Sequence, residues 1–237
     1  RDQDATKDVG EVGQESITIQ LYQDDDCDGT IDVDENLIGT TSSNADGDYS
    51  INDAFGYTVN QRVGQSSDDA DESTVSITSS DLDFAQSAVA LRFTSLDIPQ
   101  GVTITSAYIE FTAEASKSGF YSFTVEGVDV DNASTYSNSQ NLSSLTRTSA
   151  STTMTGNDAW TVDGTYNSPS LTAIVQEIVD RSGWGEGNSM GFIFNTGTGD
   201  RDAYSYDNSP SKAPRLVVEY TLSTKCYVVQ IDNTTIV

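Results

Sequence analysis

The chain has 237 residues, of which 11 are Lys or Arg and 37 are Asp or Glu, so its formal net charge is −26 at pH 7, and it contains no histidine. A surface this negative repels phosphate backbones and anionic lipid headgroups, which argues against binding to nucleic acid or to a membrane surface. The lack of histidine removes the commonest general base and a usual zinc ligand, so most hydrolase and zinc-enzyme mechanisms lose a required group.

The first 48 residues hold much of the acidic charge, with 14 acids against Arg1 and Lys7. Within them, residues 17–21 alternate apolar and polar side chains like a half-buried strand, and residues 37–41 and 49–51 predict two further short strands. Three short strands do not make a stable core alone, so we expect this region to pair with another part of the chain.

Residues 24–35 fit the calcium-loop pattern D-x-[DN]-x-[DN]-G-x₅-E at every defined position. In such a loop, carboxylates and one backbone carbonyl surround the ion, and the glycine, here Gly29, permits a sharp turn. The flanking segments are predicted strands rather than the helices of an EF-hand, which indicates a structural clamp and not a sensor. A solvated acidic loop is the alternative, although its carboxylates would repel one another. The predicted ligands are Asp24, Asp26, Asp28, Thr30, Asp32 and Glu35.

From about residue 53 to residue 222 the sequence becomes a Ser- and Thr-rich β pattern. In most of its apolar segments, apolar and polar residues alternate, and turns rich in Gly, Asn and Asp separate the segments. This pattern predicts an all-β fold, an antiparallel β-sandwich or jelly roll. The predicted strands are 75–78, 88–93, 104–111, 121–128, 190–195 and 216–220.

One segment of this region, about residues 169–181, has helical periodicity instead. Its apolar side chains recur at i, i+3, i+4, i+7 and i+8, and the pattern ends before Gly183. Ser168 is the predicted N-cap, and Pro169 suits the first turn. We expect this short helix to pack across one mouth of the sandwich. The apolar stripe consists of Leu171, Ile174, Val175, Ile178 and Val179.

A last predicted strand, residues 225–231, has no obvious partner in the sandwich. We therefore expect it to return to the acidic N-terminal segment, so that residues 1–52 and 223–237 form one discontinuous domain and residues 53–222 are inserted into it. The two cysteines, Cys27 and Cys226, would lock this return if they form a disulfide, and two free thiols are the alternative.

Residues 17–22, the calcium loop, Gly39-Thr40-Thr41 and residues 44–51 (NADGDYSI) together resemble the SdrD B-like, Cna-B-type β-domain of bacterial surface proteins. The family's next strand is similar to residues 226–232, about 175 residues later, which agrees with an inserted domain. The resemblance implies a second, weaker calcium loop, in which Ala5 stands where glycine is preferred. The family's first strand is missing, so we expect it in a longer polypeptide or from a neighbouring subunit. The ligands of the weaker loop would be Asp2, Asp4, Asp8 and Glu11.

Residues 57–221 resemble the DNRLRE-type, carbohydrate-binding-module-like jelly rolls of secreted bacterial proteins, on segments such as 66–72, 91–93, 98–109, 176–184 and 199–206. The resemblance implies a non-catalytic sandwich that binds polysaccharide or displays other domains. A glycan-binding face needs aromatic platforms beside hydrogen-bonding groups. The alternative for the aromatic residues is packing in the core, and the alternative for the arginine is neutralisation of nearby acids. The acids at 68–72 are also a candidate binding site for a second cation. The glycan-binding candidates are Trp160, Trp184, Arg201, Tyr204 and Tyr206.

These observations predict a secreted, non-catalytic, calcium-stabilised segment of a bacterial surface protein that is adhesive or binds polysaccharide. A neutral glycan is the easier target, because a polyanionic one would be repelled unless calcium bridged it. The alternative is a structural subunit of an extracellular filament, whose partners are neighbouring copies joined by β-strand complementation. The sequence contains no run of 18 apolar residues, so we expect no segment that spans a membrane. Because no spacing singles out a catalytic carboxylate pair, we do not expect an enzyme.

Overall fold

The computed structural model describes residues 16–24, 29–32, 37–44, 56–71, 78–85, 88–138, 141–222 and 226–232. The chain divides into a larger compact unit, Gly56–Thr221, and a smaller one made of Arg1–Phe55 and Leu222–Val237. Within the described ranges, no helix has the length and apolar character needed to cross a membrane.

The described residues form fourteen strands and one α-helix, so the predicted all-β class with a single short helix is confirmed. The strands are β1 (Thr18–Asp24), β2 (Leu37–Ser42), β3 (Tyr57–Arg62), β4 (Asp69–Asp71), β5 (Asp81–Phe84), β6 (Val89–Phe93), β7 (Thr103–Thr112), β8 (Tyr121–Val128), β9 (Arg147–Gly156), β10 (Thr165–Asn167), β11 (Met190–Phe194), β12 (Arg201–Tyr204), β13 (Arg215–Thr221) and β14 (Cys226–Asp232), and the helix α1 spans Thr172–Val179.

The smaller unit contains an antiparallel sheet in the order β14-β1-β2. β1 and β14 pair along their whole length, from Thr18 opposite Asp232 to Asp24 opposite Cys226. Ile19 and Leu21 alternate with more exposed neighbours and are buried, because successive side chains of a strand point to opposite faces. The C-terminal strand therefore returns to β1, the pairing that its lack of a partner in the sandwich predicted.

The larger unit is a sandwich of two antiparallel sheets, of order β10-β7-β13-β3 and β4-β6-β11-β8-β9. An aromatic cluster fills the core between them: Phe111 of β7 meets Phe194 of β11 with ring centroids 5.5 Å apart. Phe84 of β5 lies 5.0 Å from Phe111 and 5.1 Å from Phe194. β5 pairs only with β12 among the described strands, and this two-stranded ribbon is thus anchored in the core by Phe84.

Helix α1 packs against β7 of one sheet and against β8 and β9 of the other, as expected for a helix that closes one end of a sandwich. Its Gln176 side chain accepts a hydrogen bond from the Ile104 N–H, and its Glu177 carboxylate accepts bonds from two N–H groups of β9. The helix is shorter than the predicted 169–181. Ser168 is not its cap, because its hydroxyl instead accepts the N–H of Ile109 in β7.

Six strands had not been predicted: β3, β4, β5, β9, β10 and β12. β9 has the sequence RTSASTTMTG, and most of its side chains are polar, so apolar alternation gives almost no signal there. The predicted strand 49–51 and most of 75–78 lie outside the described residues.

Candidate functional site

The predicted calcium loop lies between β1 and β2, and only part of it is described. Gly29, at its sixth position, has a φ of +81°, a left-handed conformation that glycine adopts without strain. Thr30 and Asp32 are exposed. The side chain of Asp24, and all of Asp26, Asp28 and Glu35, lie outside the described residues, as do Asp2, Asp4, Asp8 and Glu11 of the weaker loop. The same holds for Cys27 and for the side chain of Cys226.

The two tryptophans proposed as glycan platforms are buried in the core. Trp160 is 1% exposed and stacks on Tyr166, with ring centroids 4.6 Å apart. Trp184 is 4% exposed, and its indole N–H donates to the carbonyl of Ile98 at 2.9 Å. Neither ring offers a face to a ligand at the surface, so their positions match the alternative of core packing.

Arg201 is fully buried and serves the fold in a way that the sequence did not predict. Its guanidinium donates to the backbone carbonyls of Gly119, Asp158 and Asp200 at 2.7, 2.6 and 2.5 Å. It also lies over the ring of Tyr121, 4.2 Å from the centroid. No ion pair joins it to Asp202 or to the acids at 68–71, so in the described chain it is a structural cation.

The two tyrosines of the predicted glycan-binding set are partly exposed and lie near the ribbon. The ring of Tyr204, the last residue of β12, faces the ammonium of Lys212, whose nitrogen is 4.4 Å from the ring centroid. The backbone N–H of Tyr206 donates to Asp69 at 2.7 Å. Of the five predicted residues, these two are the ones that are not buried.

The acids at 68–71 have separate partners within the protein. Asp68 forms an ion pair with Arg92 at 2.6 Å, Asp69 accepts the Tyr206 N–H, and Asp71 accepts the N–H of Asp83 at 3.0 Å. All three residues are 2% exposed. Burial raises the pKa of Asp69 to about 7. Because each of these carboxylates bonds to a different protein group, the structure gives them no common site.

A different set of carboxylates converges on the β5–β12 ribbon, which we call the acidic ribbon, defined by Asp81, Asp83 and Asp202. In its register, Asp202 lies opposite Asp83, and Tyr204 lies opposite Asp81. Asp81 and Asp83 share one face of β5, since Leu82 and Phe84 point into the core. One carboxylate oxygen from each of the three residues lies within 4.8 Å of the other two.

One cation, Lys117, contacts the edge of the acidic ribbon. Its ammonium is 2.6 Å from Asp200 and 2.8 Å from Asp202, and these bonds raise the pKa of the lysine. Burial raises the pKa of Asp202 to about 7, the bond from Lys117 opposes that rise, and Asp200 adds to it. The pKa of Asp83 is also raised, first by burial and then by the charge of Asp81. The ribbon is therefore a site of concentrated, partly buried negative charge.

Comparison with known proteins assigns the chain to no family: no family model matches it, and no curated protein does. A solved structure of infectious bursal disease virus, Gx strain, aligns with 94% of this chain and 60% of its own, at 9% sequence identity and a TM-score of 0.27. A likeness this weak supports no conclusion about fold or function.

Proposed function

We propose that the chain is a non-catalytic, calcium-stabilised segment of a secreted bacterial surface protein that is adhesive or binds polysaccharide. The observation that carries the proposal is the calcium-loop pattern at 24–35, which is complete at every defined position and joins the paired strands β1 and β2. The left-handed Gly29 at the glycine position is in keeping with the turn that such a loop needs.

The charge of the chain narrows the class of polysaccharide. At −26, the protein repels polyanionic sugars, so the proposal favours a neutral glycan, or an anionic one bridged by calcium. Tyr204 and Tyr206 are the partly exposed aromatic residues of the predicted set, so the proposal assigns to them the stacking contacts with a sugar.

Calcium binding by the loop is tested with a pair of variants that remove the same charge from neighbouring positions. Asp24 is a predicted ligand at a position where the pattern allows only aspartate, whereas Asp25 occupies a position that the pattern leaves undefined. We expect Asp24→Asn to weaken calcium binding at least about tenfold, measured by calorimetric titration of the full chain, because affinity follows the number of charged ligands. Asp25→Asn should bind nearly as tightly as the wild type. Equal affinities for the two variants would contradict the proposal.

Glycan binding is tested by retention of the full chain on columns of neutral and of anionic polysaccharides, with calcium and with chelator. The double variant Tyr204→Ala, Tyr206→Ala should elute without retention. Phe120→Ala is the control, because Phe120 is a highly exposed aromatic residue outside the predicted set. Failure of the wild-type chain to be retained on any column would leave the adhesive role without a glycan ligand and favour the alternative below.

The alternative is a filament subunit, which one feature of the smaller unit favours. β14 is the outer strand of its sheet within the described residues, and Val229 and Ile231 on it are 45% and 55% exposed. An exposed apolar edge strand is the surface on which a strand from another chain pairs. In calcium, a filament subunit would sediment as polymers, and Ile231→Lys would return it to monomers, whereas Gln230→Lys would not. A monomer at all concentrations would contradict the filament hypothesis.

A further inference from the structure

The acidic ribbon brings several carboxylates close together. Asp81, Asp83 and Asp202 each place one oxygen within 4.8 Å of the other two, and the ammonium of Lys117 pairs with Asp202 and with the neighbouring Asp200. Asp83 and Asp202 lie directly opposite each other across the two strands, where like charges destabilise a β-ladder. The arrangement is therefore unfavourable unless a further cation binds or protons are shared.

A second observation points to a bound ligand rather than to a tolerated repulsion. Asp202 is 5% exposed, and its Oδ2 atom contacts Lys117. Its other carboxylate oxygen, Oδ1, is buried and has no hydrogen-bond partner among the described residues. A buried, charged oxygen without a partner loses its hydration and gains nothing in return, so such atoms are rare in folded proteins. A cation bound to the ribbon would supply the missing partner.

We propose that Asp81, Asp83 and Asp202 form a binding site for a divalent cation of the calcium class. All three donors are hard carboxylate oxygens, and the site includes no histidine or cysteine, so transition metals that prefer nitrogen or sulfur are disfavoured. Calcium binds oxygen at about 2.3–2.6 Å, and two oxygens on opposite sides of one ion are then about 5 Å apart. The separations of up to 4.8 Å in the ribbon fit around such an ion.

The ion would act as a clamp between two strands that come from distant parts of the sequence. β5 pairs with β12 through four residue pairs, and Leu82 and Phe84 fix β5 in the core. A cation shared by Asp83 and Asp202 converts their repulsion into a link across this pair. The inference does not rest on the proposed function, because the site shares no residue with the 24–35 loop.

The test counts bound ions in the full chain. In a background of Asp24→Asn, which weakens the 24–35 loop, calcium bound per chain is measured by equilibrium dialysis with and without Asp83→Asn. Asp83 is partly exposed, so the change to asparagine preserves the core, and circular dichroism checks the fold. We expect Asp83→Asn to lose one bound calcium ion per chain. The exposed Asp97 provides the matched control Asp97→Asn, which should lose none.

Thermal unfolding gives an independent readout whose sign depends on the ion. Both tryptophans lie in the larger unit, so tryptophan fluorescence reports the melting of that unit. In chelator, Asp83→Asn should melt at a higher temperature than the wild type because one like charge has gone, and in saturating calcium the order should reverse. Equal ion counts, or a variant that is more stable at every calcium concentration, would overturn the proposal and identify carboxylates that share protons instead.

Discussion

Asp69 is a buried carboxylate that we expect to make the larger unit less stable as the pH rises. Burial is the main reason that its pKa is raised from the ordinary 3.8 to about 7, and the charges of Asp207 and Asp68 add to the rise. The Tyr206 N–H opposes it. A carboxyl group with a raised pKa binds its proton more tightly when folded, so stability is lost as the pH climbs from about 4 to about 7. A tenfold change in proton affinity corresponds to about 1.4 kcal/mol, so the loss amounts to roughly 4 kcal/mol at most.

The substitution Asp69→Asn isolates this effect, because an amide oxygen can still accept the Tyr206 N–H while no proton is bound or released. Unfolding by urea is followed by tryptophan fluorescence in chelator at several pH values between 4 and 8. The variant and the wild type should have similar free energies of unfolding near pH 4. At pH 8 the free energy of unfolding of the variant should be higher, by an amount approaching roughly 4 kcal/mol. Asp97→Asn removes the same charge at an exposed position and should show no such trend. A difference between Asp69→Asn and wild type that stays constant across this range would refute the reasoning.

Three further stability predictions use the same urea assay. Gly199→Ala should destabilise the larger unit by about 3 kcal/mol or more, because Gly199 has a φ of +93° and an added Cβ would lie 2.4 Å from a backbone oxygen. Gly187 has a similar φ of +83° but lies in open space, so Gly187→Ala should reduce the stability by only about 1 kcal/mol. Arg201→Met should cost about 3–5 kcal/mol, since three backbone carbonyls lose their donor. Arg215→Met, which breaks a part-exposed ion pair, should cost about 0–1 kcal/mol. Glu177→Gln should cost about 1–2 kcal/mol, because an amide has one oxygen to accept the two N–H groups of β9. Similar losses within the glycine pair or within the arginine pair would contradict the packing described.

The parts of the fold that could be predicted from sequence are those with a strong apolar period. Residues 104–111 and 121–128 alternate clearly and correspond to β7 and β8, and the i, i+3, i+4 stripe located helix α1. The helix begins later than predicted because the Ser168 hydroxyl bonds to β7 and Pro169 precedes the first turn rather than occupying it. Strand β9 could not be predicted in this way. Its serines and threonines suit an outer strand of a sheet, but they produce almost no alternation of apolar and polar residues.

The acidic ribbon shows why the candidate site was harder to predict than the fold. The run Asp81-Leu82-Asp83-Phe84 does place two carboxylates on one face of a strand, and that local pattern was available in the sequence. Its pairing with Asp202 depends on a register between distant segments, which no local pattern encodes. The burial of Trp160 and Trp184 was also not predictable from residue type, because an aromatic residue in the sequence can be buried or exposed.

The first and last strands of the larger unit lie side by side, with Tyr57 of β3 directly opposite Tyr220 of β13 and their rings stacked 5.2 Å apart. The chain therefore enters and leaves this unit at points separated by about one strand spacing, near 5 Å. A tight turn could replace the whole of Gly56–Thr221, and a similarly short linker between its own ends would allow the unit to be circularly permuted. For protein engineering, this means that the larger unit can be inserted into a β-hairpin loop of another protein, because its two ends are only about one strand spacing apart.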